Sequence, residues 1–188
     1  MAGKLQDEIG ERRDRLKERM SDRQARMFDS FVFLVKFTAL AAPLYLILGS
    51  GWNAHHLREA VALLSSGLVE VLGVETAHHG SFISSGNLLV DVTRDSTGWK
   101  SVMVFAALVF ATGKRLSYKI KGLAVGTAAI FVVNLLRIST MIYAVRVFEV
   151  EYELLHMLLW RWGLTFVVLS LWIFWFLELS WSSIIRRM

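Results

Sequence analysis

The sequence predicts an all-α integral membrane protein: about four transmembrane helices, an outer amphipathic helix and a cytoplasmic N-terminal helix. Three observations predict it. Of 188 residues, 55% are hydrophobic and only 20% charged, against about 45–50% and about 25% in soluble domains. The apolar residues gather in runs that approach the roughly 20 residues needed to cross a bilayer. The 21 basic and 16 acidic residues sit at the ends of those runs. The basic excess therefore reads as a topology signal, and nucleic-acid binding is not expected. The apolar content excludes disorder. The absence of cysteine excludes a disulfide framework or a cysteine-based zinc scaffold.

Taken in order, residues 1–27 form the first unit, a charged cytoplasmic helix with eight basic and six acidic groups. Its pairs Glu8–Arg12, Glu11–Arg15 and Asp22–Arg26 recur at one-turn spacing, and it lacks the apolar core of a signal peptide. Residues 28–188 form one integral membrane domain. Its first span runs from Phe31 to about Ser50, with Lys36 near enough to the start to snorkel. His55 to Leu72 place Leu57, Val61, Leu64, Leu68 and Leu72 on one stripe opposite Arg58, Glu59, Ser65, Ser66 and Glu70, an amphipathic helix for the outer interface. Residues 81–93 carry a weak hairpin signal around Gly86-Asn87. The second span, Trp99 to Gly113, is short. The third runs from Gly122 to about Val147 and the fourth from His156 to about Leu179. Trp160, Trp162, Trp172, Trp175 and Trp181 suit an aromatic, lipid-facing belt.

Charge asymmetry orients the spans. The link 114–121 has four basic groups and no acid, whereas residues 51–97 hold two basic groups against five acids. Both termini are therefore expected in the cytoplasm of a multi-pass plasma-membrane protein.

Polar groups inside spans are costly and call for a reason. Asn134 and Arg137 lie three residues apart, hence on one helix face. Arg137 stands roughly 22 Å above Gly122 at about 1.5 Å per residue, in the outer part of the bilayer. Ser96, Thr97 and Gly98 lie where the outer segment enters the second span, and His156 opens the fourth. Ser96, Arg137 and His156, far apart in sequence, can thus converge near one outer depth. Taken alone, Arg137 also fits an ion pair with Glu149, Glu151 or a lipid phosphate, and His156 an interfacial position without a role. The pairs His55-His56 and His78-His79 offer poor geometry for a shared metal, and neither metal nor cofactor is expected.

The stretch DSTGWKS at 95–101, the run AVGTAAIFVVNLLRIS at 124–139 and His156 after an acidic loop together resemble the exosortase/archaeosortase family of membrane transpeptidases, over roughly residues 75–165. That family places a Cys before Thr/Ser-Gly, then an Arg in N-x-x-R, then a His or Arg at the next span. The resemblance implies a catalytic core in residues 28–188, near the outer face, with position 96 as nucleophile, Arg137 as electrostatic stabiliser and His156 as acid and base. Asn134, Thr97 and Gly98 would support or bind substrate. The substrates it implies are exported proteins with a C-terminal signal helix and basic tail, cut near that helix and passed to a lipid or amine acceptor. Small residues of the third span (Gly122, Ala124, Gly126, Ala128, Ala129) would permit close approach of a helix, from within the chain or from a substrate.

The chain departs from the pattern at the nucleophile, where Ser96 replaces the family's cysteine. Either this is a deliberately inactivated Cys-to-Ser form, which the intact surrounding motif favours, or a natural member that uses serine or has lost the nucleophile. A non-catalytic protein that binds sorting-signal helices, and a small transporter or assembly factor, are the alternative readings.

Overall fold

A computed structural model describes residues 21–150 and 163–177 of the chain. Most of the expected charged N-terminal helix lies outside the described residues, as do Glu151, Glu153 and His156.

The first helix, α1 (Asp22–Gly49), starts at an N-cap Ser21 whose hydroxyl accepts from the Gln24 amide while the Gln24 side chain accepts from the Ser21 amide. This reciprocal capping box fixes the helix start. The helix crosses position 27 without a break, so the charged segment and the first span share at least their junction. A sharp turn then leads to α2 (His55–Val71). Three short antiparallel strands follow: β1 (Ala77–His79), β2 (Phe82–Ser85) and β3 (Leu88–Asp91), in the order β1-β2-β3. Each hairpin closes through a two-residue turn that opens on a glycine of positive φ, Gly80 at +59° and Gly86 at +55°, a backbone that L side chains resist. A 3₁₀ turn (Arg94–Thr97) leads into α3 (Trp99–Ala111), then α4 (Leu116–Phe148), and beyond the undescribed segment α5 (Leu164–Phe176).

The molecule is thus mostly helical, but not all-α as the sequence predicted: the weak hairpin signal marks part of a real three-stranded sheet. Among the described residues, α1 and α4 are long and apolar enough to cross a membrane. The helix α3 begins no earlier than Trp99, because Gly98 at φ +81° ends the 3₁₀ turn ahead of it. With 13 residues it rises only about 20 Å and packs among α1, α4 and α5.

Two apolar cores result. Phe105, Leu108 and Val109 of α3 join Ile130 of α4 and Val168 of α5 in one. In the other, α2 and the sheet form a cap: Val61, Val69, Ile83, Val90 and Val92 pack on Leu135, Ile138 and Ile142 of α4. The stripe expected on α2 is rotated. Ser65 and Ser66 are buried, whereas Leu64 and Leu72 are 45% and 54% exposed. The small serines let α2 approach α4 closely enough for the Ser139 hydroxyl to donate to the Ser65 carbonyl at 3.2 Å.

Arg58 fastens the cap. Its Nε donates to Val92 O at 2.8 Å, Nη1 to Asn53 Oδ1 at 2.9 Å, and Nη2 to Ser81 Oγ at 2.8 Å and Asp91 Oδ1 at 3.0 Å. One guanidinium therefore ties α2 to the strand that delivers the chain to residue 96. Trp172 packs on Phe33 and Trp175 stacks on Tyr118; both rings are half-buried, with their indole nitrogens buried.

Candidate functional site

The seam between the two cores holds Asn134 and Arg137 of α4. Asn134 is fully buried, one turn beyond Ile130 of the membrane core and beside Leu135 of the cap core. Its amide has a reason to be there. Asn134 Nδ2 donates to the main-chain carbonyl of Ser96 at 2.9 Å, and Arg137 Nη2 reaches the same oxygen at a longer 3.4 Å. The i, i+3 spacing puts both donors on one face, and that face meets the 3₁₀ turn.

The turn itself is strongly constrained. Ser96 N donates to Thr93 O at 3.0 Å and Thr97 Oγ1 to Arg94 O at 2.8 Å. Gly98 follows at φ +81°, and a β-carbon there would lie 3.2 Å from Asn134 Cγ. Glycine is thus required twice, by backbone conformation and by the close approach of Asn134. Ser96, Thr97 and Gly98 are all buried. Around them, Lys100 Nζ pairs with Asp95 at 2.7 Å, Arg94 donates to Trp52 O at 2.9 Å, and the Arg94 guanidinium stands 5.9 Å from the Trp99 ring centroid.

Five of the six site residues expected from the sequence are therefore neighbours: Ser96, Thr97, Gly98, Asn134 and Arg137. The sixth, His156, lies outside the described residues. The Ser96 hydroxyl itself meets Thr93 Oγ1 at 2.8 Å, a neighbour that sequence reasoning missed. The signal was available, since a threonine three residues before the serine, at the end of a strand, is placed to cap a turn. Arg58 was read only as part of a polar face, because its partners in the sheet and beyond it are 23 to 34 residues away. The histidine pair His55-His56 leans on Glu59, at 3.6 Å and 3.8 Å.

An open apolar groove of about 1080 Å³ runs from this site along α4. Ile47 of α1 and Met103 of α3 face Ala124 and Ala128 of α4 across it, and Trp52 and Thr97 stand at the cap end. The small residues of α4 divide between two faces. Gly122 and Gly126 are closed over by Trp175 and Phe105, so they pack within the chain, whereas Ala124 and Ala128 are left on the groove.

Membrane-capable helices, a polar seam buried between two cores and an apolar groove ending at that seam define a membrane-embedded protein with a site near one end of its spans. The model of the transmembrane exosortase family matches residues 23–176, and the chain belongs to that family, one of cysteine-type membrane transpeptidases that act in protein sorting. The matched range contains both the turn at 96 and the N-x-x-R residues of α4. No curated protein and no solved structure matches the chain.

Proposed function

We propose that the chain is a sorting peptidase/transpeptidase scaffold that cleaves a C-terminal sorting signal of exported proteins at the outer face of the plasma membrane. The observation that carries the reading is the hydrogen bonding of the Ser96 carbonyl by Asn134 and Arg137, which joins the two motifs across 38 residues. In this reading both termini are cytoplasmic and the cap faces outward. The apolar helix of the signal lies in the groove, so that its outer end meets position 96.

The chemistry follows from the residue types. With cysteine at 96, the thiolate attacks the scissile carbonyl and the Arg137 guanidinium offsets the oxyanion that forms. The tetrahedral intermediate collapses, breaking the C–N bond, while His156 supplies a proton to the leaving amine. The resulting thioester is attacked by an amine or hydroxyl acceptor, which loses its proton to His156 and releases the thiol. With serine at 96 the nucleophile is far weaker, and the chain binds its substrate but turns it over slowly or not at all.

One observation favours a second reading, a native non-catalytic protein that holds sorting-signal helices. Among the described residues the Ser96 hydroxyl meets no imidazole or carboxylate, only the Thr93 hydroxyl. The two readings separate when the Ser96→Cys variant is co-expressed with an exported substrate ending in a signal helix and basic tail. The first expects cleavage that is lost on further substitution Arg137→Ala or His156→Ala. Stable co-purification of the intact substrate without cleavage selects the second. Neither binding nor cleavage leaves the transporter or assembly-factor reading, in which Asn134 and Arg137 line a polar path.

A further inference from the structure

The side chain at position 96 has a partner of its own, distinct from the α4 groups that hold its carbonyl. The chain reaches it from β3 through Val92, whose amide donates to Ser81 O at 2.9 Å and whose carbonyl accepts from Arg58 at 2.8 Å. Thr93 comes next, in extended conformation at φ −67° and ψ 164°, as the N-cap of the 3₁₀ turn. An N-cap threonine ordinarily turns its hydroxyl onto a backbone amide of the first turn. Thr93 makes no such bond. Its Oγ1 lies instead 2.8 Å from Ser96 Oγ. The turn brings the two residues together, with the Ser96 amide donating to the Thr93 carbonyl at 3.0 Å, and β-branching limits the rotamers of Thr93. A capping bond has been given up for a side-chain contact.

We infer that Thr93 is the positioning residue for the reactive side chain at 96, holding its rotamer and donating a hydrogen bond to the anion formed there. This rests on the reading of position 96 as the nucleophile. The Thr93 hydroxyl can donate while its own oxygen takes no proton, so it steadies the anion and leaves proton transfer to another group. A donor to an anionic sulfur favours the charged form. The charged groups nearby in the chain and on the packed elements are Arg137 of α4, which reaches the Ser96 carbonyl, Arg94 and Asp95 of the turn, Lys100 of α3 paired with Asp95, and Arg58 of α2 paired with Asp91.

The absence of native cysteine makes the test direct. In the Ser96→Cys variant a single thiol reacts with iodoacetamide, and its rate against pH in detergent gives its ionisation midpoint. Adding Thr93→Val is expected to raise that midpoint by roughly one unit, and Thr93→Ser to leave it with the parent. An unchanged midpoint with Thr93→Val overturns the inference. So does a raised midpoint that Thr93→Ser shares. Thermal unfolding of the same samples monitors the fold, and if the valine variant melts early, Thr93→Ala is held to the same two criteria. A midpoint that follows residue 93 in a protein that cleaves nothing overturns the catalytic reading and keeps this one. Cleavage with a midpoint indifferent to residue 93 does the reverse.

Discussion

Gly98 carries two independent demands, a φ of +81° and a neighbouring Asn134 Cγ 3.2 Å from where a β-carbon would stand. A non-glycine residue in the left-handed region costs of order 1–3 kcal/mol, and the contact adds to it. Gly98→Ala is therefore expected to lower the unfolding midpoint in detergent by several degrees. It should also loosen the bond from Asn134 to the Ser96 carbonyl, because Asn134 is the group that must yield. An alanine variant as stable as the parent would mean that the turn relaxes more easily than its geometry implies. The spacing of Asn134 and Arg137, and Gly98 itself, were legible in the sequence. That the two polar groups grip a main-chain oxygen was not, because a side-chain motif carries no trace of which backbone atom it meets.

The faces of α2 and α4 tell where pattern reading succeeds. The bounds of α2, His55–Val71, fall where the periodicity put them, but the buried face is turned toward Ser65 and Ser66. Hydrophobicity alone assigns leucine inward and serine outward. Close helix packing reverses the choice when only a small side chain fits, and it did so against α4. The sheet was half legible: Gly86-Asn87 gave a hairpin signal, while Gly80-Ser81, built in the same way, went unread among histidines. On α4 the glycines and alanines look alike in sequence, yet the structure gives them different work. Gly126→Leu drives a side chain into Phe105, and overpacking of this kind costs about 1–3 kcal/mol or more, visible as a lower melting temperature. Ala128→Leu projects into the groove. It is expected to leave the melting temperature nearly unchanged and to reduce co-purification of a signal-helix substrate several-fold. Equal effects of the two changes on stability would remove the distinction between the faces.

At the scale of the whole molecule, the long helix α4 belongs to both cores, and the site lies where they meet. The charge distribution carries a prediction at this scale. In the cysteine-free chain, Leu89→Cys on the exposed edge of the cap should react with a membrane-impermeant maleimide on intact cells. Gly113→Cys, in the link between α3 and α4 where a side chain has open space, should react only after permeabilisation. The opposite pattern would invert the orientation and place the site at the inner face. Long apolar runs and their flanking charges made the membrane character plain, whereas the pairing of α2 with the sheet through Arg58 depends on contacts too distant in sequence to be anticipated.

Asn134 and Arg137 hold the carbonyl of residue 96, an atom that every amino acid supplies. Those two bonds consequently do not depend on whether that residue carries a hydroxyl or a thiol. A single-codon exchange between serine and cysteine changes whether a bond can be broken and leaves untouched the bonds that bring the two motifs together. A lineage could cross between processing its clients and merely holding them without passing through an unfolded intermediate.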